Sequence, residues 1–190
     1  MKLISPDWLC HCINEAIDED FILVNQTISH SASVAGHIDR ILPGSLIGCA
    51  GGSIQWALGA SLGAKLASPG RTVVSLMTDG GFIWGCPVAT LWSSLSYDAP
   101  FLSIIFNNKS YGAIRRLVQG AYGESKLSDE MGFELGVDIN PPPNYAGIAV
   151  ACGAQGYTVD NPRDVPVVLK EAIEEVQKGK PTVVDVRMEA

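Results

Sequence analysis

No stretch of the 190 residues approaches the roughly 20 consecutive apolar side chains that span a bilayer, so no transmembrane helix is expected. Runs of Lys or Arg are also missing. With a net charge of −7, that argues against a nucleic-acid partner. There is no C-x-x-C spacing, and the five cysteines are odd in number, which points to a reducing, intracellular compartment rather than a disulfide framework. Cys10 and Cys12 flank His11, but the segment reads as a helix carrying small apolar thiols rather than a soft-metal site. Asn25 to Ser31, which follows the first strand-like segment, contains no glycine, so the Gly-x-Gly-x-x-Gly turn of a dinucleotide-binding fold is absent. Met1 to Leu9 has Lys2 as its only basic residue and no signal-peptide pattern, and Arg187-Met188-Glu189-Ala190 is not a peroxisomal address. A cytoplasmic protein is expected. Repeats and low-complexity segments are missing too.

What remains is a globular composition, with 47% hydrophobic and 17% charged residues. The length suits one domain with a full core. Ser5-Pro6-Asp7 opens a helix running to about Ile17, with Pro6 tolerated in its first turn. Strands are expected at Phe21–Val24, Thr72–Met77, Phe101–Phe106, Tyr157–Val159 and Pro181–Val186. Helices are expected at Ser53–Leu66, Pro87–Ser96, from about Tyr111, at Tyr145–Cys152 and at Val165–Lys178. Leu42-Pro43-Gly44-Ser45 reads as a turn, and Asn140-Pro141-Pro142-Pro143 as an extended loop entering the next helix. Alternating strands and helices predict a three-layer α/β/α domain around a mainly parallel sheet of about six strands.

Two short segments carry the chemistry. Asp79-Gly80-Gly81 and Asn107-Asn108 each follow an apolar strand, with 26 residues between Gly80 and Asn107. Ligands of open α/β sheets bind at the C-terminal ends of strands, where a carboxylate and a carboxamide can converge on one hard cation. Magnesium wants six oxygens and shares them with phosphate and water. Asp79 can give a carboxylate oxygen, Asn108 an amide oxygen and Ser110 a backbone carbonyl. Gly80 and Gly81 have no β-carbon, so their N–H groups can approach phosphate closely, and the helix that follows adds a favourable dipole.

The pattern resembles the cofactor signature of thiamine-diphosphate-dependent enzymes: Gly-Asp-Gly, a gap of 24–30 residues, then Asn-Asn. The wider likeness is to the acetolactate synthase, benzoylformate decarboxylase and pyruvate oxidase group. Gly51-Gly52-Ser53-Ile54-Gln55-Trp56-Ala57-Leu58-Gly59-Ala60, Asn108-Lys109-Ser110-Tyr111-Gly112-Ala113-Ile114-Arg115 and Lys180-Pro181-Thr182-Val183-Val184-Asp185-Val186 all look like stretches of it. The resemblance runs from about residue 5 to residue 187 and implies thiamine diphosphate and Mg2+ as cofactors. Asp79, Asn108 and the Ser110 carbonyl would hold the metal, and Gly80, Gly81 and Phe82 would line the diphosphate. The Gly52 carbonyl would accept from the aminopyrimidine amino group. Ile54 would be the stiff, branched wedge that bends the cofactor into a V. The loop of Ser29, His30 and Ser31 would reach the diphosphate, and Tyr111 and Gly112 complete the cofactor-binding set. The implied reaction is decarboxylation of a small 2-keto acid, with protonation or carboligation to follow, the cofactor ring serving as electron sink.

The chain also departs from that pattern. Thr78 replaces the first glycine of the signature, Gln55 stands where a glycine is common, and Gly59 where a proline is common. His11 and His37 read as solvated or capping residues, and Arg115-Arg116 as a solvated helix face rather than a contact for a substrate carboxylate. The family's essential glutamate lies on a pyrimidine-binding domain that nothing in residues 1–190 matches. The resemblance therefore implies a partner domain or subunit, a homo- or hetero-oligomer, and no catalytic residue of certain assignment in this chain. A non-catalytic paralogue or assembly subunit that keeps the fold is the alternative expectation.

Overall fold

The computed structural model describes residues 3–49, 53–123 and 136–188. Six strands form one parallel sheet: β1 (Ile22–Gln26), β2 (Leu46–Gly48), β3 (Val73–Thr78), β4 (Leu102–Asn107), β5 (Gln155–Val159) and β6 (Thr182–Arg187), in the order β2-β1-β3-β4-β6-β5. Eight α-helices lie among the described residues: α1 (Pro6–Ala16), α2 (Ser31–His37), α3 (Trp56–Ala67), α4 (Asp79–Trp84), α5 (Pro87–Ser96), α6 (Gly112–Tyr122), α7 (Tyr145–Ala151) and α8 (Val165–Gln177). None of the helices is long and apolar enough to cross a membrane.

The inner strands are apolar on both faces because both are covered, as parallel sheets require. Alternate residues feed two separate cores. Val74, Leu76, Ile104, Phe106, Val184 and Val186 pack with α1, α2 and α8. On the opposite face Val73, Met77, Ile105 and Val183 pack with α3, α5 and α7. The three-layer α/β/α expectation holds, and the sheet is parallel throughout.

The helix starts follow local chemistry. Ser5 caps α1 by accepting from the Trp8 N–H at 3.2 Å, with Pro6 in the first turn. Cys10 and Cys12 are buried in the α1 core, and burial pushes the Cys10 thiol up to about 12, far from a reactive thiolate. No cluster of three or more His, Cys, Asp or Glu side chains among the described residues is arranged to hold a metal.

Three elements went unread in the sequence: β2, α2 and α4. β2 is a three-residue edge strand with Leu46 and Gly48 exposed, too short to show a period. α2 and α4 are seven and six residues long and rich in small residues, so neither shows an apolar stripe. Boundaries also moved. β1 runs on to Gln26, and α3 starts at Trp56 rather than Ser53. One side chain accounts for both shifts. Gln26 Nε2 donates to the Ser53 carbonyl at 2.8 Å, while its Oε1 accepts from the Ala57 N–H at 3.1 Å. The buried Gln26 amide thus staples the end of β1 to the start of α3 and holds residues 53–57 as a turn.

Because β1 lies between β2 and β3, the chain leaves β1 toward one edge and returns on the other side. This reversal opens a crevice at the C-terminal ends of β1 and β3, the usual ligand position in open α/β sheets. Replacing Gln26 with Met keeps its length and strands the buried Ala57 N–H. The expected cost is about 2–4 kcal/mol, or roughly 5–15 °C in Tm for a domain of this size. Thermal unfolding followed by circular dichroism measures it, and an unchanged Tm removes the staple from the account.

Candidate functional site

β3 ends at Thr78, and the chain turns at once into α4. The Thr78 hydroxyl accepts from the Gly81 N–H at 3.1 Å, so it is the N-cap of that helix. This is why threonine serves where the signature carries its first glycine. The cap delivers Asp79, with no exposed surface, to the first turn of α4. Asp79 Oδ1 accepts from the Gly80 N–H at 2.8 Å, and Oδ2 from the Ser110 N–H at 3.2 Å.

β4 ends at Asn107, and Lys109 takes a left-handed conformation (φ 57°) that turns the chain back over the strand end. The Asn108 Oδ1 also accepts from the Ser110 N–H, again at 3.2 Å. A carboxylate oxygen from β3 and an amide oxygen from β4 therefore meet at a single backbone donor. These are hard oxygen donors of the kind that can hold a small divalent cation. Burial pushes the Asp79 carboxyl up to about 6, with the N–H groups of Gly80, Lys109 and Ser110 pulling it back. Among the described residues no side-chain cation forms an ion pair with it.

The two asparagines have separate jobs. Asn107 points inward, its Nδ2 donating to Asp185 Oδ1 at 2.8 Å inside the sheet, and its Oδ1 accepts from the Lys109 N–H at 3.2 Å. Asp185 is a buried strand carboxylate, raised by burial and held back chiefly by the Asn107 bond. Its placement between apolar neighbours on β6 was the signal available in the sequence. Tyr145, fully buried at the start of α7, was also missed. Burial, followed by the charges of Asp79 and Asp185, raises its phenol, and its hydroxyl has no hydrogen-bond partner among the described residues.

The glycines are required by space. A β-carbon on Gly80 would lie 2.3 Å from Tyr111 Cε1, and one on Gly81 would lie 3.1 Å from both the Ile54 carbonyl and Thr78 Oγ1. Tyr111 is held there by Trp84 Nε1, which donates to its hydroxyl at 2.9 Å. The N–H groups of Gly80 and Gly81, expected to face phosphate, are engaged inside the protein by Asp79 and Thr78. The Phe82 side chain points into the core, edge-on to Tyr145 with ring centroids 5.7 Å apart. At Phe82, then, only the backbone is left to line a ligand.

The loop after β1 closes the other side. Ser29 Oγ would come within 3.7 Å of a β-carbon on Gly112, at the start of α6. His30 stacks on Phe106 at 5.7 Å, its Nε2 buried and without a hydrogen-bond partner among the described residues. Burial first and Arg116 second lower the imidazole, so it is neutral near pH 7. Ser31 lines a separate cavity of about 290 Å³ with Asn25, Ser53 and Trp56. The structure thus brings Asp79, Gly80, Gly81, Asn108, Ser110, Tyr111, Gly112, Ser29 and His30 to one sheet edge. The Ile54 backbone lies over Gly81. Gly52 is outside the described residues. Arg115 is not a solvated helix face: it is partly buried and pairs with Asp138. His37, at the end of α2, fits the capping expectation, with Nδ1 at 3.1 Å from the Ser33 carbonyl.

Residues 29–186 match the family model described as thiamine pyrophosphate enzyme, C-terminal TPP binding domain. Sulfoacetaldehyde acetyltransferase of Castellaniella defragrans is 30% identical over 96% of the chain and 29% of its own length. Benzoylformate decarboxylase of Pseudomonas aeruginosa is 26% identical over 90% of the chain and 30% of its own length. The solved thiamine diphosphate-dependent 4-hydroxybenzoylformate decarboxylase of Rhodococcus jostii RHA1 superposes with a TM-score of 0.83 at 28% identity, over 100% of this chain and 34% of that one. The chain thus spans about a third or less of the relatives it matches. A capped carboxylate, an opposed carboxamide and crowded glycines at one sheet edge coincide with a family match over most of the chain: it belongs to the thiamine pyrophosphate enzymes and corresponds to their C-terminal cofactor-binding domain.

Proposed function

We propose that the chain binds thiamine diphosphate with Mg2+ as the diphosphate-binding domain or subunit of a 2-keto acid decarboxylase or carboligase of the acetolactate synthase kind. The observation that carries the reading is the meeting of Asp79 Oδ2 and Asn108 Oδ1 at the Ser110 N–H. The residues fit the metal. A fully buried carboxylate whose donors among the described residues are backbone N–H groups is costly as an anion, and a divalent cation offsets that cost directly. The described residues supply few ligands of their own, which suits magnesium, since it shares its shell with phosphate and water.

Asp79, Asn108 and the Ser110 carbonyl would hold the cation. The space over Gly80 and Gly81 and the start of α6 at Gly112 would receive the diphosphate, with Ser29, Tyr111 and the free Nε2 of neutral His30 as hydrogen-bonding groups. Ile54, next to Gly81, would supply the apolar wedge. Bound thiamine diphosphate supplies the carbon nucleophile and the electron sink for decarboxylation. The protein's own part is placement, charge compensation and exclusion of water on one side. Relatives named as decarboxylase and acetolactate synthase support loss of carbon dioxide or carbon–carbon bond chemistry at such a site, and one named as acetyltransferase supports acyl transfer. The glutamate that assists the aminopyrimidine would come from a pyrimidine-binding partner domain, in keeping with the small share of the relatives' length that this chain spans.

Calorimetry tests the metal assignment. Thiamine diphosphate is expected to bind at least about tenfold more tightly with Mg2+ than with chelator, and Asp79→Ala to abolish that difference through loss of the anionic ligand. Equal affinity with and without the ion refutes it.

The raised Asp79 carboxyl sets a pH dependence. Its proton is held more tightly in the folded chain than in the unfolded one. This contribution to stability is therefore fully present below the unfolded value and is lost as pH rises through about 6. The loss between pH 4 and pH 7 is roughly 3 kcal/mol at most. Cofactor-free protein should lose Tm across that range more steeply than Asp79→Ala, and Mg2+ with thiamine diphosphate should flatten the profile. Parallel Tm profiles for the two cofactor-free proteins would remove Asp79 as the cause.

Turnover tests the partner. These 190 residues alone should show negligible decarboxylation of pyruvate or benzoylformate, and a cognate pyrimidine-binding domain should raise the rate by roughly 10²–10⁴-fold, the scale of general acid–base help. Steady-state decarboxylation by the chain alone, at a rate the partner does not increase, contradicts the division of labour.

A further inference from the structure

α1 and α8 pack side by side on one face of the sheet, and a groove of about 600 Å³ runs between them, within the size range of small-molecule sites. Its floor is apolar, with Cys12, Phe21 and Ile173 all buried. One wall is aromatic. Trp8 is 40% exposed, and its indole Nε1 donates to the Pro162 carbonyl at 2.9 Å, which fixes the ring at the groove. The His11 ring lies beside it, with centroids 5.5 Å apart. The rim is acidic. Glu15, Asp18 and Glu174 line it against a single lysine, Lys170. Among the described residues none of these three carboxylates forms an ion pair. None of the groove's lining residues belongs to the Asp79 edge.

We propose that this groove is a binding site for a small organic cation, an ammonium group carried on an aromatic body. Three observations select that occupant. The buried floor and the aromatic wall accept an apolar body, and the electron-rich face of an indole attracts a positive charge. The unpaired carboxylates compensate that charge, whereas an anion would be repelled by all three and a neutral molecule would leave them unmatched. The helices add to the same potential. Trp8, near the start of α1, meets the chain just ahead of α8, so the two helices run in the same direction and their C-terminal ends share one end of the groove. Glu15, Asp18 and Glu174 lie toward that end. Neither helix has a basic residue in its last turn, so no side chain there offsets the partial negative charge of the helix ends. Two nearby cations are engaged elsewhere. Lys178, which caps α8, pairs with Glu175 at 3.0 Å, and Arg40 donates to the backbone carbonyls of Asp18, Glu19 and Phe21, leaving the Asp18 carboxylate unpaired. The proposal is independent of the cofactor reading, because it uses no residue of that site.

Titration of the isotope-labelled 190-residue chain with phenethylammonium chloride tests the proposal. Binding is followed by calorimetry and by the NMR signal of the Trp8 indole N–H, which Trp8→Phe identifies among the four tryptophans. The expected result is a saturable shift of that signal with a Kd below about 1 mM. The neutral analogue 2-phenylethanol should bind at least about tenfold more weakly, and the anion phenylacetate more weakly still. The double variant Glu15→Gln, Glu174→Gln removes two exposed charges and should weaken phenethylammonium by about tenfold or more, with 2-phenylethanol affinity and the circular dichroism spectrum unchanged. No saturation below about 10 mM overturns the proposal. Equal affinity for the alcohol and the ammonium ion also overturns it, since the groove is then an apolar cleft without charge preference. Tighter binding of phenylacetate assigns the site to Lys170 and reverses its sign. Unchanged phenethylammonium affinity in the double variant, or shifts confined to the Asp79 edge, places the cation elsewhere. Thiamine diphosphate affinity, measured in parallel, should be the same in the double variant and the wild type, so failure of the cofactor reading and failure of this one remain distinct.

Discussion

A carboxylate buried at the end of β3 without a cationic side chain among the described residues organises the rest of the site. Asp79 is tolerable there because backbone N–H groups from α4 and from the turn after β4 point at it, and because its raised carboxyl accepts a proton up to about pH 6. Every nearby feature serves that placement. Thr78 caps the helix that turns Asp79 inward, Lys109 takes a left-handed conformation to aim Ser110, and Gly80 leaves room for Tyr111. Such a group raises the energy of the folded domain when it is ionised, so folding stability and the charge at this sheet edge are linked.

A parallel sheet makes this economical. All six strands end on the same edge, so Asp79 from β3 and Asn108 from β4, 29 residues on in the chain, need no long-range search to come together once β3 and β4 pair in register. The reversal of strand order at β1 opens the crevice, and the loop after β1 returns Ser29 and His30 toward the start of α6. On the opposite side of the sheet Asn107 and Asp185 satisfy one another internally. Their bond pins β4 to β6 directly beneath the turn that carries Asn108.

The distribution of charge separates two surfaces. Acidic side chains keep most of the exterior polar. The α5–α7 face is neutral and aromatic, and at its edge Trp84 donates to the Tyr111 hydroxyl beside Gly80.

The amino-acid sequence by itself determined the elements whose signal is local. Apolar runs marked β3 and β4, the Ser5-Pro6-Asp7 start signal marked α1, an amphipathic pattern marked α8, and Asp79 and Asn108 declared themselves by chemistry and by position after strands. Short elements were not legible, because β2, α2 and α4 exist only by virtue of what they pair with or cap, and three to seven residues carry no period. The destinations of polar side chains were equally hidden. Asn107 and Asn108 are neighbours of the same type, and only the strand pleat sends one inward to Asp185 and the other to the crevice. The Gly80 and Gly81 amides looked available for a ligand until helix capping engaged them, and Arg115 looked solvated until Asp138 met it. Residue type and spacing decide which chemistry a chain can perform. Which groups remain free to perform it is decided by tertiary structure, because hydrogen-bond partners distant in sequence meet only after the sheet has formed.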